Sequence, residues 1–221
     1  MANVPTTYDG VTSMLAVFVL LTEFAMLRAP QLRSQVRLYA FQSLLVTALA
    51  VFVAASRHID ELYFLAALSF ALKVIIVPRV VMRTMRDADV DLTGSSTLGG
   101  ASMILIAIVV AAFGFFTIGS LHVRVVALPG TTLAIAAAVV LVAFVLIIFR
   151  SDIVSQAIGF FSLENGVSIA SLVIAAGLPF VVEVAFLFDL LVAVVVFGVI
   201  MRVHHGRTRT LSTDELDRLK G

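Results

Sequence analysis

Residues 131–149 read TTLAIAAAVVLVAFVLIIF, with no charged side chain. A bilayer core about 30 Å thick is crossed by about 20 helical residues rising about 1.5 Å each, so this stretch predicts a membrane-spanning helix. Working outward from it, apolar runs of similar length fall at 11–27, 36–55, 62–81, 99–118, 153–176 and 180–203, which makes seven spans. Backbone amides and carbonyls in hydrocarbon must be satisfied within their own segment, so all seven are read as helices. The expected fold is an all-α integral membrane protein. Composition agrees: of 221 residues, 61% are hydrophobic and 13% charged, where a soluble domain carries about a quarter charged. That excludes an ordinary soluble enzyme. A net charge of +1 supplies no field for gripping phosphate backbones, so no nucleic acid is expected as a partner.

Basic residues set the direction of the spans. Arg28, Arg33 and Arg37 lie between the first two; Arg79, Arg83 and Arg86 follow the third; Arg150 separates the fifth and sixth. Arg202, Arg207, Arg209, Arg218 and Lys220 follow the seventh. With seven spans all twelve fall on one side, against Arg57 and Arg124 on the other. The expected topology has the N-terminus outside and the C-terminus in the cytoplasm. The first ten residues contain no Lys or Arg, so the first apolar run reads as a retained span, not a secretory signal.

Several chemistries are set aside. Cysteine is absent, which excludes disulfides, thiolate zinc and Cys-held iron–sulfur clusters. Asp87, Asp89 and Asp91 mimic the start of a calcium loop, but Leu92 stands at position six and Leu98 at position twelve, where Gly and Glu are required. His58 and His122 fall in outer loops, and His204 and His205 in the cytoplasmic tail, so none suits a buried haem. No metal or cofactor is expected. No loop is long enough to form a catalytic domain, so the chain has no catalytic centre of its own.

Ionisable residues inside spans are costly and are candidates for function. Glu23 lies near the cytoplasmic end of span one and Glu183 about one turn from the outer end of span seven; both are placed to reach the interface. Lys73, Glu164 and Asp189 lie near the middle of their helices, too deep to escape. Three midplane groups of both signs suggest a lateral chain of proton sites; the plainer reading is an ion pair that only holds helices together. In span six, Gly159, Ser162 and Gly166 form one thin face suited to close packing. Glu164 points nearly the opposite way, with Ser168 and Ser171 following on its own face.

Two three-helix blocks look alike, within segments 1–97 and 131–221, joined by a linking helix in 98–130. Arg28 leads fourteen residues on to Gln42, and Arg150 fourteen residues on to Glu164. The next helix in each block carries one central charge, Lys73 or Asp189. Both blocks would cross in the same direction, as parallel repeats of transporters do.

Tyr39-Ala40-Phe41-Gln42-Ser43-Leu44, Leu72-Lys73-Val74-Ile75-Ile76-Val77-Pro78, Leu163-Glu164-Asn165-Gly166 and the closing Asp214-Glu215-Leu216-Asp217-Arg218-Leu219-Lys220-Gly221 resemble hydrogenase-4 component E. The likeness runs in order from the first span to the last residue. The last three spans also resemble subunit K of respiratory complex I, and more distantly the C component of multisubunit sodium/proton antiporters. The resemblance implies a non-redox membrane subunit of a complex-I-like [NiFe] hydrogenase of the formate-hydrogenlyase type. Its partners would be antiporter-like and quinone- or hydrogenase-proximal membrane subunits and, through them, the peripheral hydrogenase arm. It would sit in a bacterial or archaeal cytoplasmic (inner) membrane. Glu164 and Asp189 match acids of a polar axis that couples redox chemistry to proton movement, with Lys73 as a further member. Subunit K has Glu where this chain has the shorter Asp189. Two other readings stand beside this one: a cation/proton antiporter subunit without redox partners, and a structural spacer in a membrane arm.

Overall fold

The computed structural model describes residues 7–87, 94–121, 128–175 and 191–200. Helix α1 (Thr7–Arg28) leads to α2 (Leu32–Arg57). Then α3 (Asp60–Ser69), a π-helical segment (Phe70–Ile76) and α4 (Val77–Asp87) follow one another without a break. Three longer helices come next: α5 (Gly100–Ser120), α6 (Gly130–Phe149) and α7 (Ile153–Ala175). A shorter apolar helix, α8 (Leu191–Ile200), follows. Among the described residues, six helices are long and apolar enough to cross a membrane, counting Asp60–Arg86 as one. The chain is a multi-pass, all-helical membrane protein. Of the seventh expected span only α8 is described; Glu183, Asp189 and residues 201–221 lie outside the described residues, as do His122 and the acidic positions Asp89 and Asp91.

Local sequence explains the helix ends. Pro30 stops α1, since it cannot continue the hydrogen-bond ladder. His58 turns the chain at the end of α2 with φ 55°, and the Ile59 amide closes the turn on the Ala54 carbonyl at 3.2 Å. The third helix is longer than the expected 62–81. Its last turns carry Arg79, Arg83 and Arg86, all exposed, and extend it past the purely apolar stretch. Pro78 supplies no N–H to the carbonyl of residue 74. The wide π turn stands immediately before it, so the helix passes the proline without ending.

Packing centres on α6, which touches α1, α5 and α7. Its small residues Ala134, Ala136, Ala138 and Ala143 are buried, letting neighbours approach closely. Gly166 of α7 is one contact point: a Cβ there would lie 2.7 Å from Val140 Cγ2 and 3.1 Å from the Val140 amide nitrogen. Gly159, two turns earlier, meets α6 in the same way at Ala143 and Ile147. Gly166→Ala must push backbone as well as side chain, and should cost about 1–3 kcal/mol, seen as a lower melting temperature of the purified chain.

Three connections assigned above to the basic side meet at one end of the bundle. The Gly94 amide donates to the Pro30 carbonyl at 2.8 Å, the Thr97 amide to Phe149 at 3.0 Å and the Ser151 amide to Ser95 at 3.1 Å. Arg150 is not a solvated topology marker but is only 5% exposed. Its guanidinium donates to the Leu27 and Ala29 carbonyls at 2.9 and 2.8 Å, tying the end of α1 to the start of α7. Asp152 caps α7 by accepting from the Ser155 amide at 2.7 Å. The Ser155 hydroxyl donates to Gln35 Oε1 at 2.7 Å, and Gln35 donates to the Ala29 carbonyl at 2.9 Å.

Burial raises the Asp152 carboxyl above its ordinary value; bonds from Ser155 and the charge of Arg150 oppose this only in part. A carboxyl raised on folding binds its proton more tightly in the folded state. Its stabilisation is present below the unfolded value, about 4, and is lost as pH rises through the folded one. Asp152→Asn keeps the capping oxygen and removes the titration. The stability difference between wild type and this variant should therefore shift in favour of wild type as pH falls from neutral toward about 4, read by melting both across that range.

Candidate functional site

The deepest polar cluster begins at the π segment, whose wide turn carries Lys73, 1% exposed. An ammonium has three donors and no acceptor, and here each donor has a partner. Lys73 Nζ forms an ion pair with Glu164 Oε2 and donates to Ser168 Oγ at 3.0 Å and Asn165 Oδ1 at 3.3 Å. The Ser168 hydroxyl donates to Glu164 Oε1 at 3.2 Å. Spacing on α7 makes this possible, because Glu164 and Ser168 stand one turn apart.

From Asn165 the network continues across the bundle. Its amide donates to Gln42 Oε1 at 3.0 Å and to Ser43 Oγ at 2.9 Å, both on α2. The Gln42 amide nitrogen donates to Glu23 Oε2 of α1 at 2.6 Å. Ser162 Oγ lies 2.8 Å from Gln42 Oε1 and also in hydrogen-bond contact with Glu23 Oε2. Glu23, Gln42, Ser43, Ser162 and Asn165 are all completely buried. Glu23 therefore does not reach the interface as its sequence position suggests. It is about one and a half turns, roughly 8 Å, from the end of α1, yet α2 and α7 close over it and supply hydrogen bonds in place of water. Ser162 is likewise not simply part of a packing face. Its backbone lies beside Gly159 and Gly166, but its hydroxyl serves Glu23 and Gln42.

A cavity of about 70 Å³ opens on the other side of the ion pair. Its polar walls are Thr47, Ser69, Lys73, Glu164, Ser168 and Ser171; Leu62, Leu65 and Leu172 close it elsewhere. At about 30 Å³ for each water it has room for about two waters. Ser171 Oγ is buried with no hydrogen-bond partner among the described residues. Thr47 follows Gln42 on α2, Ser69 precedes Lys73, and Ser171 follows Glu164. The cavity thus runs from the pair toward the end of the bundle opposite the arginines, while the Glu23 branch runs toward the arginine end.

The structure brings Lys73, Glu164 and Ser168 into one contact, and Gln42 and Glu23 into a second joined to it through Asn165. Sequence reasoning does not mark Asn165, Ser43 or Ser162 as site residues. A signal exists for Asn165, an amide beside Glu164 in mid-span, where an unsatisfied polar group is costly. Among the described residues, no three His, Cys, Asp or Glu side chains gather where they could hold a metal.

Fold and site define a polytopic membrane protein with a hydrogen-bonded ionic axis through its bundle. Comparison with known proteins gives the family. An uncharacterized protein of Mycobacterium tuberculosis, Rv0085, is 31% identical over 195 residues, spanning 86% of this chain and 85% of the relative. Hydrogenase-4 component E of Escherichia coli K12 is 24% identical over 207 residues, spanning 94% of this chain and 96% of the relative, and that of Shigella flexneri matches equally. The chain belongs to the family of these proteins and is a homologue of hydrogenase-4 component E. No family model matches it, and no solved structure matches it.

Proposed function

We propose that this chain is a membrane subunit of a multi-subunit, complex-I-like [NiFe] hydrogenase in a prokaryotic cytoplasmic membrane, and that it moves protons while partners carry out the redox chemistry. The observation that carries this reading is the unbroken polar path from Glu23 through Gln42, Ser162 and Asn165 to Lys73 and Glu164. A purely structural ion pair needs local partners; it does not need a second buried acid joined to it through amides and a hydroxyl.

Ser162 suits Glu23 in either protonation state. A hydroxyl has one proton. With Glu23 ionised, Ser162 donates to Glu23. With Glu23 protonated, Glu23 donates to Ser162, and Ser162 donates to Gln42. The two states differ by the proton on Glu23 and by one rotation of the Ser162 hydroxyl, with no movement of helices. At the other end Ser168 accepts from Lys73 and donates to Glu164, adjoining a water-sized cavity. Glu164 is the exchange point between that cavity and Lys73. In the assembly, Asp189 and Glu183 would extend the path toward a neighbouring subunit, and the two three-helix blocks would each supply part of it.

The test of the assignment is purification of the intact complex through an affinity tag on this chain. Co-purification of a nickel–iron large subunit with antiporter-like membrane subunits is expected. Recovery of antiporter subunits alone, with no nickel in the preparation, would overturn the hydrogenase reading.

A further inference from the structure

Arg37 of α2 and Arg79, Arg83 and Arg86 of α4 line one cleft of about 720 Å³ at the arginine-rich end of the bundle. All four are exposed, and the ion pair found among the described side chains, Lys73 with Glu164, uses none of them. The last three stand four and three residues apart, so they share one face of α4. Beneath them the cleft is apolar, lined by Ala40, Val74, Ile75 and Pro78. Ala40 lies about one turn deeper than Arg37, and Ile75 about one turn deeper than Arg79, so positive charge sits above an aliphatic groove.

We propose that this cleft binds an anionic glycerophospholipid, its phosphodiester held by Arg37, Arg79, Arg83 and Arg86 and its acyl chains lying along Ala40, Val74 and Ile75. Guanidinium groups suit phosphate oxygens because their forked donors match that geometry. A basic pocket between helices at the membrane surface is a form such lipids fill. An acidic polypeptide would satisfy the arginines but leave the apolar lower half of the cleft unmatched. Free phosphate would do the same. The lipid complements both halves, and its binding does not depend on the proton path.

The test is native mass spectrometry of the full chain in detergent, titrated with phosphatidylglycerol and with phosphatidylcholine of the same acyl chains. Phosphatidylglycerol should bind at least roughly tenfold more tightly. Each arginine near the surface contributes about fivefold, so Arg37→Gln with Arg83→Gln should weaken phosphatidylglycerol binding about 30-fold. The charge-matched pair Arg28→Gln with Arg57→Gln should leave it within about twofold, since neither lines the cleft and Arg57 ends α2 about 30 Å from Arg37. Inorganic phosphate at millimolar concentration should not displace the lipid. Equal binding of the two lipids by wild type, which needs no variant to fold, would overturn the proposal. So would equal losses in the two double variants, or displacement by phosphate.

Discussion

Lys73→Met is expected to cost the isolated chain about 3–5 kcal/mol of stability, since removing one member of a buried pair leaves the other without compensation. Glu164 is only 13% exposed. The same change takes the ammonium donor from Asn165 and Ser168. Adding Glu164→Gln removes the stranded charge, so the double variant should recover about half the loss or more. Equilibrium unfolding in mixed micelles measures both. A single variant as stable as wild type would mean that the pair contributes nothing to the fold. Failure of the second change to restore stability would mean that the loss comes from packing and not from charge.

In the assembled complex, Glu164→Gln is expected to lower coupled turnover by roughly a hundredfold, the lower end of the range seen when a proton-transferring side chain is replaced. Gln is nearly the same shape; its one oxygen can still accept from Lys73 and its amide nitrogen can donate to Ser168, so the subunit should assemble. What it cannot do is bind and release a proton at that position. A structural spacer predicts the reverse pattern: normal turnover wherever the complex assembles. Comparing turnover per assembled complex separates the two, because a folding defect lowers the amount of complex and a transport defect lowers its rate.

The membrane fold is legible in residues 131–149 because hydrocarbon imposes one simple demand, a long apolar helix. The length of the third helix is less legible. Arg79, Arg83 and Arg86 interrupt the apolar pattern without interrupting the helix, and the π turn leaves no compositional mark beyond the nearby Pro78. Lys73 and Glu164 stand out from depth alone, but that they meet each other does not follow from depth. Glu23 shows the limit most clearly. Distance from a helix end puts it near the interface, while its burial depends on Gln42 and Ser162, which lie 19 and 139 residues away in the chain. Arg150 shows the same limit at the other level. It is counted as one basic residue in a topology argument, yet its guanidinium ties two connections together.

The most direct test of the proton path is the number of protons moved per electron transferred in inverted membrane vesicles containing the complex, compared between wild type and Glu164→Gln. A path through Glu23, Asn165, Lys73 and Glu164 predicts that the variant retains redox turnover at a reduced rate with a clearly lower ratio. An unchanged ratio at full turnover would contradict it.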